Sequence, residues 1–167
     1  ANYAWKDKYL LTATLRIDGS SRFGDNSKYG YFPSAAFAWK MKEEPFLETV
    51  DAISTMKLRA SWGQTGNQEI GNYQSITTFA AGGIAVFNVG GASTKISTTA
   101  PTRIANPNLK WETTEQWDIG VDFGFLEERI YGSLEYFEKN TFDMLINLPV
   151  PTSTGYTTQL TNIGSIK

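Results

Sequence analysis

Two adjacent pairs of acids, Glu43/Glu44 and Glu127/Glu128, are the residues of this sequence that most invite a catalytic interpretation. Two carboxyl groups on either side of a sugar bond are what glycoside hydrolases use. Here the members of each pair are neighbours in turn segments, where adjacent side chains diverge, and no apolar pocket is evident to raise a pKa. Gly63-Gln64-Thr65-Gly66 lacks the lysine and the following helix of a phosphate-binding loop. The sequence therefore predicts no catalytic residue.

Composition removes further classes of site. The 167 residues include no histidine and no cysteine, and the net charge is −2. The commonest metal ligand and general base is missing, and so are disulfides and thiolate metal sites. The near-neutral charge gives no electrostatic attraction for nucleic acid. We expect no cofactor, no metal site and no nucleic-acid partner.

Hydropathy leaves one kind of membrane protein open. Mean hydropathy is −0.31 and there is no long apolar run, which excludes a transmembrane helix. A membrane barrel is not excluded, because its strands alternate and average out as polar. The sequence begins at Ala1 in a strand pattern and ends at Lys167 within another, so we expect an internal piece of a longer protein.

The elements that would position any site are strands. From Trp117 to Phe125 every odd position is apolar, whereas the even positions carry aspartate or glycine. Successive side chains of a strand point to opposite faces. One face is therefore wholly apolar, which fits either a soluble sheet on a core or a barrel strand between lipid and water. The apolar positions are Trp117, Ile119, Val121, Phe123 and Phe125.

Similar alternation predicts roughly seven strands, and the connections between them alternate in length. The predicted strands begin near Tyr3, Tyr9, Tyr31, Lys57, Trp111, Ile130 and Gln159. Short turns at Asp7-Lys8 and Leu126–Arg129, with a partly helical insert at Met41–Thr55, fall on one side. The long loops fall on the other side, which is the layout of outer-membrane barrels and has no rationale in a β-sandwich. These loops are Gly19–Lys28, Asn67–Lys110 and Leu148–Thr158.

The longest of these loops contains little regular pattern. About forty residues from Asn67 to Pro107 include two Gly-Gly pairs and a Ser/Thr-rich stretch from Ser93 to Thr102. We expect irregular structure there, with a small hairpin near Ile84 to Val89. Loops of this length in folded domains tend to be functional.

Four segments resemble the barrel of SusC/RagA-type TonB-dependent transporters. They occur in the family's order and span nearly the whole chain. They are Lys8–Phe23 (KYLLTATLRIDGSSRF), Tyr31–Ser34 with Ala38-Trp39 and Glu44–Phe46, Leu58–Asn67 (LRASWGQTGN), and Asn106–Trp117 with its NPNLKWE block.

The resemblance implies an antiparallel transmembrane β-barrel of about 22 strands, of which this chain is an internal fragment from the C-terminal half. Residues 1–167 would form part of one barrel domain, and the plug domain would lie outside them. The protein would be integral to the outer membrane of a Gram-negative bacterium, in contact with lipid and lipopolysaccharide. It would import glycans or peptides under a SusD-like lipoprotein lid, energised by TonB–ExbB–ExbD through the absent N-terminal region, and would not be an enzyme.

Two other functions remain open at this point, a soluble all-β carbohydrate-binding module and an all-β hydrolase. In the transporter the aromatic residues would form interfacial girdles, and the alternative is packing in a core. Those residues are Tyr9, Tyr31, Trp39, Trp62, Trp117 and Tyr136. The charged residues on the opposite face would line a hydrated lumen or contact the plug, and the alternative is a solvated surface. Those residues are Arg16, Asp18, Lys57, Arg59, Asp118, Asp122 and Glu135.

The loop Asn67–Lys110 has two interpretations as well: contact with the lid or the substrate, or simple solvation. The sequence does not single out individual substrate-binding residues.

Overall fold

A computed structural model describes residues 1–167, apart from the side chains of Asp25, Val89 and Ala92. The chain forms eleven strands, one short α-helix and three single 3₁₀ turns. The strands are Asn2–Trp5 (β1), Tyr9–Gly19 (β2), Tyr29–Lys40 (β3), Ile53–Asn67 (β4), Phe79–Val89 (β5), Ala92–Pro101 (β6), Glu112–Phe125 (β7), Ile130–Phe142 (β8), Leu145–Pro149 (β9), Thr158–Asn162 (β10) and Ser165–Ile166 (β11). The helix is Pro45–Glu48 (α1), and the 3₁₀ turns are Asp25–Ser27, Met41–Glu43 and Thr152–Thr154.

Seven strands make one antiparallel sheet in the order β1-β2-β3-β4-β7-β8-β11. The hairpins β5–β6 and β9–β10 are separate two-stranded sheets. The prediction of an all-β, antiparallel fold with roughly seven main strands is confirmed. Among the described residues, no helix has both the length and the apolar character needed to cross a bilayer.

The register of the main sheet places like side chains together. Leu11 lies opposite Phe37, and Ala60 and Tyr136 lie on either side of Ile119. Cross-strand partners share a face, so the register gives the sheet one apolar and one polar face. The apolar face carries Leu11, Leu15, Ile17, Phe37, Leu58, Trp62, Trp117, Ile119, Val121, Leu134 and Tyr136. The polar face carries Thr12, Arg16, Asp18, Ser34, Lys57, Arg59, Ser61, Asp118, Asp122, Ser133 and Glu135.

Short connections meet at one end of the sheet, the turn end. Tight turns follow β1 and β7, with left-handed φ values at Lys6 and Asp7 and again from Leu126 to Glu128. The helical insert is shorter than predicted, because only Pro45–Glu48 is α-helical and Ile53 already belongs to β4. The Lys42 ammonium donates to the carbonyls of Leu47, Glu48 and Val50 at 3.0–3.1 Å. That capping ends the helix after one turn.

Long connections meet at the opposite end, the loop end, and here the sequence prediction needs correction. Ser93–Thr102 was expected to be irregular, but almost all of it is strand β6. The hairpin is therefore much longer than Ile84–Val89. Threonine is β-branched and suits strands, and Gly90 and Gly91 both have positive φ, as a two-residue hairpin turn requires.

The last loop also contains more structure than predicted. Within the expected loop Leu148–Thr158, the ends pair as parts of β9 and β10. The chain kinks at Asp143 (φ 55°) and at Gly164 (φ 85°), after which β11 returns to pair with the end of β8. The strand expected over Gln159–Lys167 is thus divided between two sheets.

The main sheet divides at its loop end. Pairing between β3 and β4 stops at Ser34 and Gly63, whereas β2 and β3 remain paired to Gly19/Tyr29. Pro33, next to the last pair, has no N–H to donate to a ladder. The gap between β3 and β4 beyond this point is called the seam.

Four side chains fill the seam region: Phe23, Phe32, Leu109 and Trp111 form the loop-end cluster. They are the only buried large hydrophobic side chains in the part of the chain that the structure describes.

Candidate functional site

The apolar face is open in this chain. Leu15 is 62% exposed, Ile119 52% and Leu134 71%, and no second sheet covers them within the described residues. A β-sandwich would bury such a face between two sheets. Contiguous apolar area on this scale marks a surface that meets lipid or another protein.

Aromatic rings gather on this face at the turn end. Tyr9 stacks on Trp39 with ring centres 6.1 Å apart, and Trp5 lies 5.3 Å from Tyr9. The Glu44 carboxylate accepts hydrogen bonds from the Tyr9 hydroxyl at 2.6 Å and from the Trp39 indole at 3.2 Å. These two bonds, with Lys8 nearby, hold the pKa of the Glu44 carboxyl below its usual range. The rings and the turn that carries Glu44 are therefore joined through one carboxylate.

A second ring pair lies farther along the strands, near the loop end. Trp62 of β4 and Trp117 of β7 are 5.9 Å apart, and both indole N–H groups donate to Glu115, at 2.5 and 3.2 Å. Tyr31 and Tyr136 are more than 60% exposed. The six predicted aromatic residues thus lie on the apolar face, and none of them is buried in a core.

The centre of the polar face is an ion-pair network. Arg59 makes two bonds to the Asp122 carboxylate, at 2.9 and 3.0 Å, and its third nitrogen lies 3.5 Å from Glu135. Gly120 lies beneath the guanidinium, where an added Cβ would come within 3.2 Å of Nη2. Asp118 is held by Ser61 and Gln116, at 3.3 and 2.9 Å. Two carboxylates, those of Asp122 and Glu135, thus contact one guanidinium, while Asp118 on the same face bonds uncharged neighbours.

A concave space of about 470 Å³ adjoins this network, bordered by small side chains such as Thr12, Ala36 and Ser61. Of the other predicted charges, Arg16 pairs with Asp18 at 2.8 Å, and Lys57 lies opposite Asp122 in the register. All seven charged residues predicted for this face therefore lie on it, in two separate groups.

The adjacent acid pairs lie in turns. Glu43 pairs with Lys40 at 3.2 Å, while its neighbour Glu44 holds the aromatic rings. Glu128 accepts a hydrogen bond from the Thr55 hydroxyl, and its backbone N–H donates to Ser54. These contacts fasten turns to strand ends.

The loop-end cluster takes its residues from three of the four segments quoted for the family resemblance and contacts the other one at Gly66. Phe23 lies 4.9 Å from Trp111 between ring centres, and Phe32 meets the same ring edge-on at 5.5 Å. Gly66, at the end of the third segment, leaves the space that Phe32 occupies, since a Cβ there would come within 2.0 Å of the Phe32 ring. The sequence separates these motifs by tens of residues, so alternation alone could not reveal that they meet.

The segment from Asn106 to Glu112 also ties the long loops together. Asn106 donates to the carbonyl of Leu160 at 2.9 Å, and Lys110 pairs with Asp143 at 2.7 Å. The Asn162 side chain bonds both the N–H and the carbonyl of Lys110, and Glu112 accepts from the N–H of Leu145 at 3.1 Å. The NPNLKWE block is therefore a junction between loops as well as the approach to β7.

A polar cavity of about 490 Å³, the loop-end pocket, lies between the long loop and the β9–β10 hairpin. Its floor contains Ile70, Leu145 and Leu160, which pack on the loop-end cluster. Sequence reasoning did not identify this pocket, because its walls come from a loop and a short hairpin that are far apart in sequence. Its polar walls include Glu69, Gln74, Thr102, Arg103, Asn147 and Thr158.

These features define a section of a two-faced antiparallel wall, and comparison with known families gives its class. The model of the family described as TonB dependent receptor-like, beta-barrel, matches residues 1–167. The chain belongs to this family.

Relatives and solved structures agree with that membership. The chain is 43% identical over 172 residues to the TonB-dependent receptor SusC of Bacteroides thetaiotaomicron, covering 99% of this chain and 17% of SusC. It is 39% identical to the TonB-dependent receptor P26 of Formosa agariphila, covering 99% of this chain and 16% of that protein. The RagAB peptide transporter structure matches with a TM-score of 0.81 and 29% identity, over 98% of this chain and 17% of that one. The chain spans about a sixth of the length of these relatives.

Proposed function

We propose that this chain is a section of the barrel wall of a TonB-dependent importer in the outer membrane of a Gram-negative bacterium. The observation that carries the proposal is the apolar face, which continues across β2, β3, β4, β7 and β8 opposite a charged face. These strands have 11 to 15 residues, and a tilted strand needs about 9–11 to cross the apolar part of a bilayer.

In this proposal residues 1–167 are part of one barrel domain of about 22 strands, and a plug from elsewhere in the polypeptide fills the lumen. The apolar face meets lipid, and the two ring groups lie at the membrane interfaces, where amphipathic rings are favoured. The network of Arg59, Asp122 and Glu135 faces water or the plug. Charged groups at that position keep much of their hydration.

The substrates are oligosaccharides or peptides, taken up with a SusD-like lipoprotein lid and driven by TonB–ExbB–ExbD through a region outside these residues. The loop end is the outer side and carries the contacts with lid and substrate. Its β5–β6 hairpin supports this, because several of its apolar side chains are at least half exposed. They are Phe79, Ile84, Val86 and Phe87. The chain has no catalytic role in this proposal.

The carbohydrate-binding module receives no support from the open apolar face, since such a module would hide that face between two sheets. Solubility separates the two functions: the full-length protein is expected to need detergent to remain monodisperse. A full-length protein that is monodisperse without detergent would contradict the barrel.

Transport is tested in the bacterium that makes the full-length protein. We expect deletion of the transporter gene, and separately loss of TonB, to leave the same oligosaccharides or peptides unconsumed in the medium, as measured by mass spectrometry. Consumption that continues unchanged without TonB would contradict the proposed mechanism.

A further inference from the structure

The loop-end pocket presents one guanidinium and one carboxylate without ionic partners. Among the described residues, neither Arg103 nor Glu69 has an ion pair, although seven other acidic residues form one. Arg103 donates through Nη1 to the carbonyl of Tyr73 at 2.7 Å. That bond orients the guanidinium and leaves other N–H groups for a ligand.

The pocket has a fixed floor. Ile70, Leu145 and Leu160 line it and also pack against the loop-end cluster. Leu145 and Leu160 belong to the β9–β10 ladder, and Asn106 donates to the Leu160 carbonyl. The floor of the pocket is therefore formed before a ligand arrives. A site that is formed before its ligand arrives loses less conformational entropy on binding.

The lining favours one class of substrate over the other. No aromatic side chain is among the lining residues, so there is no ring on which a pyranose could stack. The walls offer an acid, a guanidinium, and amide and hydroxyl groups from Gln74, Asn147 and Thr158. A short peptide carries a terminal ammonium, a terminal carboxylate and amide groups between them, which complement these walls. The volume of about 490 Å³ lies within the ~300–1,000 Å³ of small-molecule sites.

We propose that the loop-end pocket captures short peptides with free termini. Arg103 binds the terminal carboxylate, Glu69 binds the terminal ammonium, and the amide and hydroxyl side chains bond the peptide backbone. This inference rests on the proposed function and narrows its substrates from oligosaccharides or peptides to peptides.

The test uses the purified full-length transporter and an equimolar pool of random tripeptides, with binding measured by equilibrium dialysis and mass spectrometry. The same pool is prepared N-acetylated and, separately, C-amidated. The variants are Arg103→Gln and Glu69→Gln, and Lys95→Gln on the exposed strand β6 serves as the matched control.

We expect amidation to weaken binding to the wild-type protein about fivefold or more, as loss of a charge-assisted hydrogen bond implies. Arg103→Gln weakens binding of the free pool by a similar factor but leaves binding of the amidated pool unchanged. Glu69→Gln weakens binding of the free pool by a similar factor and leaves binding of the acetylated pool unchanged. Lys95→Gln changes the binding of none of the three pools.

Three results would overturn the inference: Arg103→Gln acting equally on free and amidated peptides, Arg103→Gln acting no more than Lys95→Gln, or a wild-type protein that binds no peptide pool. TonB-dependent consumption of oligosaccharides alongside any of them would leave the proposed importer intact and remove only the peptide site. Peptide binding as expected, together with consumption that is independent of TonB, would leave the peptide site intact and contradict the TonB-dependent importer.

Discussion

The apolar face and the loop-end cluster contain the same types of residue in opposite surroundings. Leu15 on the face is 62% exposed and Leu109 in the cluster is 0% exposed, while Trp117 and Trp111 are 52% and 7% exposed. The cluster is stabilised by packing within the chain, whereas the face gains that contribution only from its surroundings. Three of the four buried cluster residues thus come from loops and one, Phe32, from β3. The strands supply the open apolar surface, which lipid or another protein would have to cover.

The largest expected effect comes from emptying the cluster. Leu109→Ala in the full-length protein should lower the free energy of unfolding by about 2–5 kcal/mol, because Leu109 is fully buried and its neighbours would surround a cavity. Unfolding by denaturant in lipid vesicles measures the change. Leu15→Ala, on the open face, is the matched control. Equal destabilisation by the two variants would remove the distinction between the regions.

The next largest effect tests what covers the apolar face. Leu134 and Ser133 are neighbours in β8 and point to opposite faces. An arginine on the lipid side of a barrel costs about 2–4 kcal/mol near the bilayer midplane. Leu134→Arg should therefore reduce the folded, heat-modifiable form of the protein, and Ser133→Arg should leave it nearly unchanged. If both are tolerated equally, this face is exposed to water.

A smaller effect is expected on the polar face. Asp122→Asn leaves the Arg59 guanidinium with Glu135 alone, at 3.5 Å. Both partners of the broken pair are about one-third exposed, so the expected loss is about 0.5–1 kcal/mol. Thermal unfolding at low and high salt measures it, and the loss should shrink as salt screens the pair. A loss of several kcal/mol, independent of salt, would mean that this face is a dry core.

The smallest effect concerns Glu44 at the turn end. Its pKa lies below the ordinary value of 4.5, chiefly through the Tyr9 hydrogen bond, so the folded state favours the charged form. The stabilisation is complete above pH 4.5 and is lost as the pH falls through the lowered pKa. At pH 7 the wild type should unfold at a higher temperature than Glu44→Gln. In stronger acid the two unfolding temperatures should converge. Glu43→Gln, which affects only the Lys40 pair, is the control. A gap between wild type and Glu44→Gln that persists in strong acid would contradict this assignment.

Much of the wall followed from sequence because strand alternation is a local property. The alternation from Trp117 to Phe125 placed each of these side chains on the face the structure gives it, and the seven charged residues on the polar face were found in the same way. The register added what alternation lacks, namely that Arg59 lies across from Gly120 with Asp122 in reach.

The loop end was predicted less well because its structure depends on contacts distant in sequence. A strand was predicted to begin at Trp111, but Trp111 precedes β7 and is buried against Phe23 and Phe32. Strand β6 was missed since its many serine and threonine residues resemble a loop in composition. The loop-end pocket combines residues near 70, 103 and 147, a juxtaposition that no local pattern encodes.

The seam beside Pro33 has a consequence for exchange of backbone protons. Beyond Gly63, β4 is paired with β7 but no longer with β3, and the side chains of the loop-end cluster pack at this gap in place of a strand ladder. Amide protons bordering such a gap exchange through local opening rather than global unfolding. In the main sheet, deuterium should therefore enter first at the amides that border the seam, from the loop end as far as Ser34. Leu109→Ala should extend this fast exchange to amides beyond Ser34 at conditions under which the strands are still folded.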